Sequence, residues 1–156
     1  MATKTVKGRV RKAVKRPAAR PKRHQPESLR LRLVTPAMTV NDLQKSIAFY
    51  TDGLGFVIED RWDDKGVLLG VSLKAGTARL MLNQDDFTKG RDRVKGVAQR
   101  LWLSTAQDID ALAQRIKGKG LTLTQEPVDM PWGSRVFSLA DPDGFVISFT
   151  RERRSN

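Results

Sequence analysis

The sequence contains the same order of strands and a helix twice, and this repeat limits the fold more than any other feature. In the first half, a strand-like stretch at 31–39 precedes a helical pattern of apolar residues spaced at i, i+4, i+7 and i+11 from Leu43. Asn41 and Gln44 have the spacing of a capping box, which favours a helix start there. Three strand-like runs follow, at 56–62, 67–74 and 78–82.

The second half repeats this order at an offset of about 66 residues, which aligns Asp108 with Asp42 and Ser138 with Ser72. Its predicted elements are a strand, a helix and three strands, at 100–105, 108–117, 121–124, 135–139 and 145–149. The polar segment 84–96 lies between the halves and is predicted to be a linker. The fold class is therefore α+β, with two tandem βαβββ modules.

The positive charge of the chain is concentrated at its N-terminus. The formal net charge is +12, but residues 1–26 contain ten Lys or Arg and no acid, so the remainder has 19 basic and 17 acidic residues. With three prolines and no aromatic residue, this segment cannot build a core. We expect a disordered basic tail at 1–27 and one domain at 28–156, with module one at about 31–83 and module two at about 98–151.

The basic tail has the composition of a segment that neutralises phosphates, so non-specific binding to nucleic acid is one hypothesis for it. It contains no aromatic residue on which a base could stack. A solubilising extension and a contact with an anionic membrane or a ribosome are the alternatives. The cations proposed for nucleic-acid binding are Lys12, Lys15, Arg16, Lys22 and Arg23.

The absence of cysteine and the single histidine exclude several kinds of site. Without cysteine there is no disulfide framework, thiolate nucleophile or cysteine-ligated metal centre. Since His24 lies in the tail, the domain cannot form a Ser–His–Asp triad. No apolar run is long enough for a signal peptide or a membrane span, so we expect a cytoplasmic protein without membrane insertion.

Three motifs of the domain together resemble one known family. They are the run 40–50 at the start of the first helix, Leu54-Gly55-Phe56 after it, and Asp141-Pro142-Asp143-Gly144 before the last strand. These resemble the glyoxalase / bleomycin-resistance / extradiol-dioxygenase superfamily, also called vicinal oxygen chelate proteins, over about residues 31–151. The resemblance implies a cup-shaped, mostly antiparallel sheet around a central cavity, and a homodimer.

Metal-dependent members of that superfamily place four ligands in the cavity, usually His, Glu or Gln. Carried over position by position, the resemblance assigns these places to Thr35, Met81, Arg100 or Leu101, and Ser148. None of these side chains is a usual ligand of a divalent transition metal. We therefore predict no metal and no cofactor, and assign Thr35, Met81, Arg100 and Ser148 to the wall of a ligand-binding cavity.

Aromatic and acidic residues near the implied cavity complete the candidate site. Trp102, Trp132 and Arg135 would form an aromatic wall with a fixed cation, suited to a flat or anionic organic ligand; the alternative for both tryptophans is the core or a dimer interface. Trp62 is assigned to packing. Asp85 and Asp86 could form a general base, but acids at a strand exit more often start a turn.

The sequence thus favours a metal-free protein that binds a small organic molecule of unknown identity, of the kind that sequesters a toxin or an antibiotic. Bleomycin itself is disfavoured, because it is cationic and the domain has no acidic field. Two alternatives stay open. One is a lyase or isomerase of the superfamily that lacks the usual metal site, with unknown catalytic residues. The other is a nucleic-acid-associated protein that acts through its tail.

Overall fold

The computed structural model describes residues 31–151, and all of its regular elements lie within the unit Val34–Asn156. The predicted tail at 1–27, with its proposed nucleic-acid cations, lies outside the described residues. No helix among the described residues is both long and apolar enough to cross a membrane. The elements are β1 (Ala37–Val40), α1 (Leu43–Ala48), β2 (Val57–Asp64), β3 (Val67–Ala75), β4 (Ala78–Gln84), β5 (Arg100–Thr105), α2 (Ile109–Gly118), β6 (Gln125–Asp129), β7 (Arg135–Ala140) and β8 (Val146–Arg151).

The strands form two four-stranded sheets with the same topology. Their orders are β1-β4-β3-β2 and β5-β8-β7-β6, and in each sheet the first strand pairs with the fourth in parallel while the other pairs are antiparallel. A strand can run parallel to the fourth strand only after a crossover, and the helix of each module provides part of that connection. The prediction of an α+β fold with two tandem βαβββ modules and mostly antiparallel sheets is confirmed.

Several boundaries differ from those that the sequence predicted. The first strand begins at Ala37 rather than at residue 31, since ladder pairing with β4 covers only Ala37–Val40. The sixth strand spans Gln125–Asp129 rather than 121–124, although the Thr124 amide already donates to the Ser138 carbonyl (2.8 Å). The Leu121 side chain instead lies against Gly53, so tertiary packing overrides its strand propensity.

The start of the first helix also differs from the prediction. Asp42, not Asn41, is the N-cap, and its side chain accepts a hydrogen bond from the Lys45 amide at 3.0 Å. The α-helix is followed directly by a π-helical turn, Phe49–Gly53. One turn of π-helix adds a residue to the helical repeat and so rotates the residues that follow it.

A single cluster of buried apolar side chains joins the two modules. Each helix contributes the face that its periodicity predicted, and each sheet contributes the side chains of one face. Phe137 and Phe149 stack at 5.0 Å between ring centroids on neighbouring strands of the second sheet. The fully buried members with the largest side chains are Tyr50, Phe137, Leu73, Leu80, Leu82, Ile116, Leu139 and Ile147.

A buried hydrogen bond connects the first module to the second. The Tyr50 hydroxyl donates to Asp141 Oδ2 at 3.0 Å, and Asp141 Oδ1 accepts from the amides of Asp143 (3.0 Å) and Phe145 (2.9 Å). The Asp143 carboxylate in turn accepts from the Asn41 amide at 3.1 Å. Burial raises the pKa of Asp141, and these three hydrogen bonds oppose the rise. The turn before β8 thus fixes the position of the first helix and of Asn41, which precedes it.

The predicted linker is anchored at two points. The Asp85 amide donates to the Val40 carbonyl of β1 at 2.9 Å, and the buried Asp85 carboxylate forms ion pairs with Arg93 (3.0 Å) and with the buried Lys95. Gly96 has φ +68° and lies so close to the turn before β8 that a Cβ there would overlap the carbonyl group of Gly144. The segment between the modules is irregular in secondary structure and nevertheless fixed to both of them.

Substitution of Tyr50 tests the hydrogen bond between the modules. Tyr50→Phe removes one hydroxyl from a residue that has no exposed surface, and leaves the Asp141 carboxylate buried with one partner fewer. We expect a loss of about 1–3 kcal/mol in the free energy of unfolding, measured with urea. The pKa of Asp141 should rise further, because the Tyr50 hydrogen bond lowers it.

The matched control is Thr51→Val. Thr51 Oγ1 donates to the Ile47 carbonyl within the same helix (2.9 Å), so this hydroxyl makes no contact between modules. Its removal should change the stability by less than about 0.5 kcal/mol. Equal effects of the two substitutions would show that the Tyr50 hydroxyl contributes nothing specific to module packing.

Candidate functional site

The second sheet has one face on the core and one face that carries the main candidate residues. Side chains alternate along a strand, and cross-strand partners project to the same side. Trp102 pairs with Ser148, and Ser148 pairs with Ser138, so these three lie on one face together with Arg100 and Thr150. We call the face formed by Arg100, Trp102, Ser138, Ser148 and Thr150 the open face of module two. The structure therefore brings three predicted residues together: Arg100, Trp102 and Ser148.

The open face of module two combines an aromatic ring, a cation and buried hydroxyl groups. Trp102 is 48% exposed on β5, an edge strand of the sheet, and the Arg100 guanidinium carbon lies 5.8 Å from the centre of its ring. The hydroxyls of Ser138 and Ser148 are buried and lie 2.8 Å apart. Thr150 Oγ1 is buried and has no hydrogen-bond partner among residues 31–151, which leaves polar capacity at this face.

Ser138 was not among the predicted site residues. It is the one polar residue within the otherwise apolar run Val136–Ala140, and the repeat had already aligned it with Ser72. A hydroxyl in such a run, paired across the strands with a predicted cavity residue, is the signal that identifies it. Counting the alternation on β7 as well as on β8 would have found it.

The pairing of strands locates the places that the superfamily resemblance assigns to metal ligands. Met81 pairs with Ala37 in the first sheet, as Ser148 pairs with Trp102 in the second. Thr35 lies before β1 and is half-buried there, and within the ladder the strand partner of Met81 is Ala37. A methyl, a thioether, an indole and a hydroxyl do not form a donor set for a divalent transition metal.

Within residues 31–151, no three His, Cys, Asp or Glu side chains are grouped as a bound metal would require. The described residues thus do not fit the metal that the superfamily resemblance implies for some of its members.

Trp62 lies on the corresponding face of the first sheet. It pairs with Gly70, and Gly70 pairs with Asn83, two residues after Met81 on β4. The indole covers Gly70 so closely that a Cβ at that glycine would overlap it. The packing role predicted for Trp62 therefore has a specific partner, and any larger residue at position 70 would displace the ring.

Arg135 lies on the opposite side of the second sheet from Trp102. Its guanidinium donates to Asp110 on α2 through Nε (2.7 Å) and Nη2 (2.8 Å), and to Asp129 on β6 through Nη1 (3.1 Å). The hydrogen bonds with these carboxylates raise the pKa of Arg135. The predicted wall of Trp102 with Arg135 is therefore not formed, because alternation along β7 directs Arg135 towards the helix, and Arg100 is the cation beside Trp102.

Trp132 lies in the turn between β6 and β7. It is 54% exposed, and the turn is closed by hydrogen bonds from the Met130 amide to Ser134 and from the Gly133 amide to Met130, each 2.8 Å long. The hairpin ends beside the pairing of Val136 with Thr150, at the end of the sheet away from Arg100. Trp132 thus belongs to a surface loop at the edge of module two.

The acid pair after β4 forms turns and ion pairs. Asp85 Oδ1 accepts from the Phe87 amide (2.9 Å) and Asp86 Oδ1 from the Thr88 amide (3.0 Å), the geometry of side chains that begin a turn. Hydrogen bonds from Lys95 and from the Phe87 amide lower the pKa of Asp85 to about 2. The pKa of Asp86 is also lowered, chiefly by hydrogen bonds from Thr88. A general base needs a pKa near the working pH, so these carboxylates are structural.

Acid should reveal the contribution of Asp85 to stability. Because its pKa in the folded protein is below the value of about 3.9 expected for an unfolded chain, its contribution is complete above pH 4 and is lost as the pH falls towards 2. We expect Asp85→Asn to lower the melting temperature by a few degrees at pH 7 and to match the wild type near pH 2.

The comparison is made by thermal unfolding at both pH values. Asp63→Asn is the matched control, since Asp63 is exposed on β2 and forms no ion pair within residues 31–151. It should differ little from the wild type at either pH. If the deficit of Asp85→Asn persisted undiminished at pH 2, the ion pairs would not be its cause.

Comparison with known families gives one match over the domain. Residues 32–149 match the model of the glyoxalase/bleomycin resistance protein/dioxygenase superfamily. A bleomycin resistance protein of Geobacillus stearothermophilus is 32% identical over 130 residues, which cover 77% of this chain and 96% of that protein. A bleomycin resistance protein of Staphylococcus aureus matches to the same extent. A Bacillus subtilis protein, YetH, is 29% identical over 115 residues, covering 72% of this chain and 92% of that one.

Solved structures have the same fold. TioX from Micromonospora sp. ML1 superposes with a TM-score of 0.64 at 20% identity, over 76% of this chain and 97% of that one. UcmS2 superposes with a TM-score of 0.65 at 24% identity, over 78% and 98%. At these identities the likeness concerns the arrangement of strands and helices alone.

Proposed function

The chain belongs to the glyoxalase/bleomycin resistance protein/dioxygenase superfamily, and from that premise we propose that it binds and sequesters a small organic molecule without the help of a metal ion. The observation that carries the proposal is the open face of module two. Ser148, one of the places that the superfamily resemblance assigns to a metal ligand, lies beside its strand partner Trp102 on this face. An exposed indole and a hydroxyl bind organic molecules by stacking and hydrogen bonding.

The chemistry of this face favours a flat ligand with an acidic group. Trp102 offers its ring for stacking, and Arg100 beside it carries a charge that no carboxylate among residues 31–151 neutralises. The paired hydroxyls of Ser138 and Ser148 could orient a polar substituent at the base of the face. A cationic compound such as bleomycin would meet Arg100 and is expected to bind more weakly.

We also propose that two chains associate around the ligand. Trp102 and Val128 project to the same face of the second sheet and are 48% and 40% exposed, so this face presents apolar surface that a partner could cover. A second copy would cover part of this surface and enclose a ligand bound to it. Light scattering coupled to gel filtration should give the mass of two chains, and a single-chain mass at micromolar concentration would contradict the proposal.

Binding of 2-naphthoate, a flat aromatic carboxylate, tests the site. We expect one molecule per chain, with quenching of tryptophan fluorescence that Trp102→Phe largely removes. Arg100→Gln should weaken binding about ten- to hundredfold, the effect of one charge-assisted hydrogen bond. A chelator should change neither the affinity nor the stoichiometry, and metal-free bleomycin should bind less tightly.

The matched control for this titration is Arg135→Gln. It removes an arginine of the same sheet whose guanidinium faces α2, so the affinity should stay unchanged while the stability falls. Undiminished binding by Arg100→Gln would remove the open face of module two from the proposal. Turnover of a lactoylglutathione-forming or catechol substrate would support the enzymatic alternative instead.

A further inference from the structure

A cavity lies between the two modules, on the other side of the second sheet from Trp102. Its volume is about 490 Å³. Leu103 and Phe149 are cross-strand partners that line it, and they project towards the core because Trp102 and Ser148 beside them project to the open face. This cavity is therefore separate from the candidate site described above.

Both modules contribute apolar walls to this cavity. Leu54 and Phe56, which follow the π-helical turn, line one side together with the β3–β4 turn at 75–78. Leu103, Leu112 and Phe149 of module two line the other. Cavities of about 300–1,000 Å³ accommodate small organic molecules, and apolar walls bury most of the surface of such a ligand.

One cation lies at the edge of the apolar walls. Arg115 follows Leu112 by three residues on α2, so both side chains lie on the same side of the helix and both line the cavity. Arg79, Arg93 and Arg135 each form an ion pair with a carboxylate, at 2.6, 3.0 and 2.7 Å. Arg115 has no such partner among residues 31–151.

We propose that this cavity binds a small aliphatic carboxylate, with its acid group on Arg115 and its hydrocarbon chain between the two modules. A guanidinium binds a carboxylate through two parallel hydrogen bonds. Thr105 and Gln107, which also line the cavity, add neutral polar groups to its wall. Since the ligand touches both modules, its binding stabilises their packing and raises the melting temperature of the whole domain.

Octanoate is the probe, and 1-octanol is its uncharged counterpart. Calorimetric titration of the full-length protein should show one octanoate per chain and at least tenfold weaker binding of 1-octanol. Arg115→Gln should weaken octanoate binding about ten- to hundredfold. Arg61→Gln, which removes an exposed arginine of β2 outside the cavity, should leave the affinity unchanged.

A second substitution blocks the cavity and leaves the charge of Arg115 unchanged. Ala106 is exposed at the cavity, and Ala106→Trp would fill its mouth and abolish octanoate binding while the circular dichroism spectrum stays unchanged. The proposal is overturned if the wild type does not bind octanoate at millimolar concentration or if Arg115→Gln binds it equally well. It is also overturned if Arg100→Gln, not Arg115→Gln, loses the binding, since the carboxylate would then occupy the open face of module two.

Discussion

The carboxylate of Asp141 is the group on which the relation between the two modules depends. It is buried, it accepts the Tyr50 hydroxyl from the first module, and it closes the turn before β8 by accepting two amides of its own module. A buried carboxylate without such partners would be costly, so the turn and the helix must be placed together. Tyr50 lies within the π-helical turn, where the phase of the helix changes.

Alternation along the strands then determines which chemistry is available on each side of the second sheet. Trp102 and Arg100 project to one face, while Leu103 and Phe149 project to the core and to the cavity between the modules. Neighbouring positions on β5 therefore belong to different binding environments. A change of one residue in the pairing of β5 with β8 would exchange the two environments and destroy both.

The fold could be predicted because the repeat, the helix periodicity and the turn residues all indicated the same topology. The site could be predicted only in part. Arg135 was assigned to the same wall as Trp102 because it begins a strand near the implied cavity, but the side of a strand to which a residue projects depends on the pairing register. The pairing of Ala37 with Met81 corresponds to that of Trp102 with Ser148, at offsets of 65 and 67 residues. A uniform offset of 66 therefore misplaces each position by one residue, onto the opposite face of the sheet. The ion pairs of Asp85 could not be predicted from the sequence, because Lys95 and Arg93 come close to Asp85 only through the path of the linker.

The contact of Gly96 with Gly144 has a consequence for hybrid proteins assembled from halves of different relatives. The ion pair of Lys95 with Asp85 keeps the linker with the first half, whereas Gly96 touches the second half through backbone atoms alone. A crossover placed directly after Gly96 would therefore preserve every charged contact of the linker. The incoming second half would need a glycine in the tight turn before its last strand, where φ is +85°, and an aspartate in place of Asp141 to accept the Tyr50 hydroxyl.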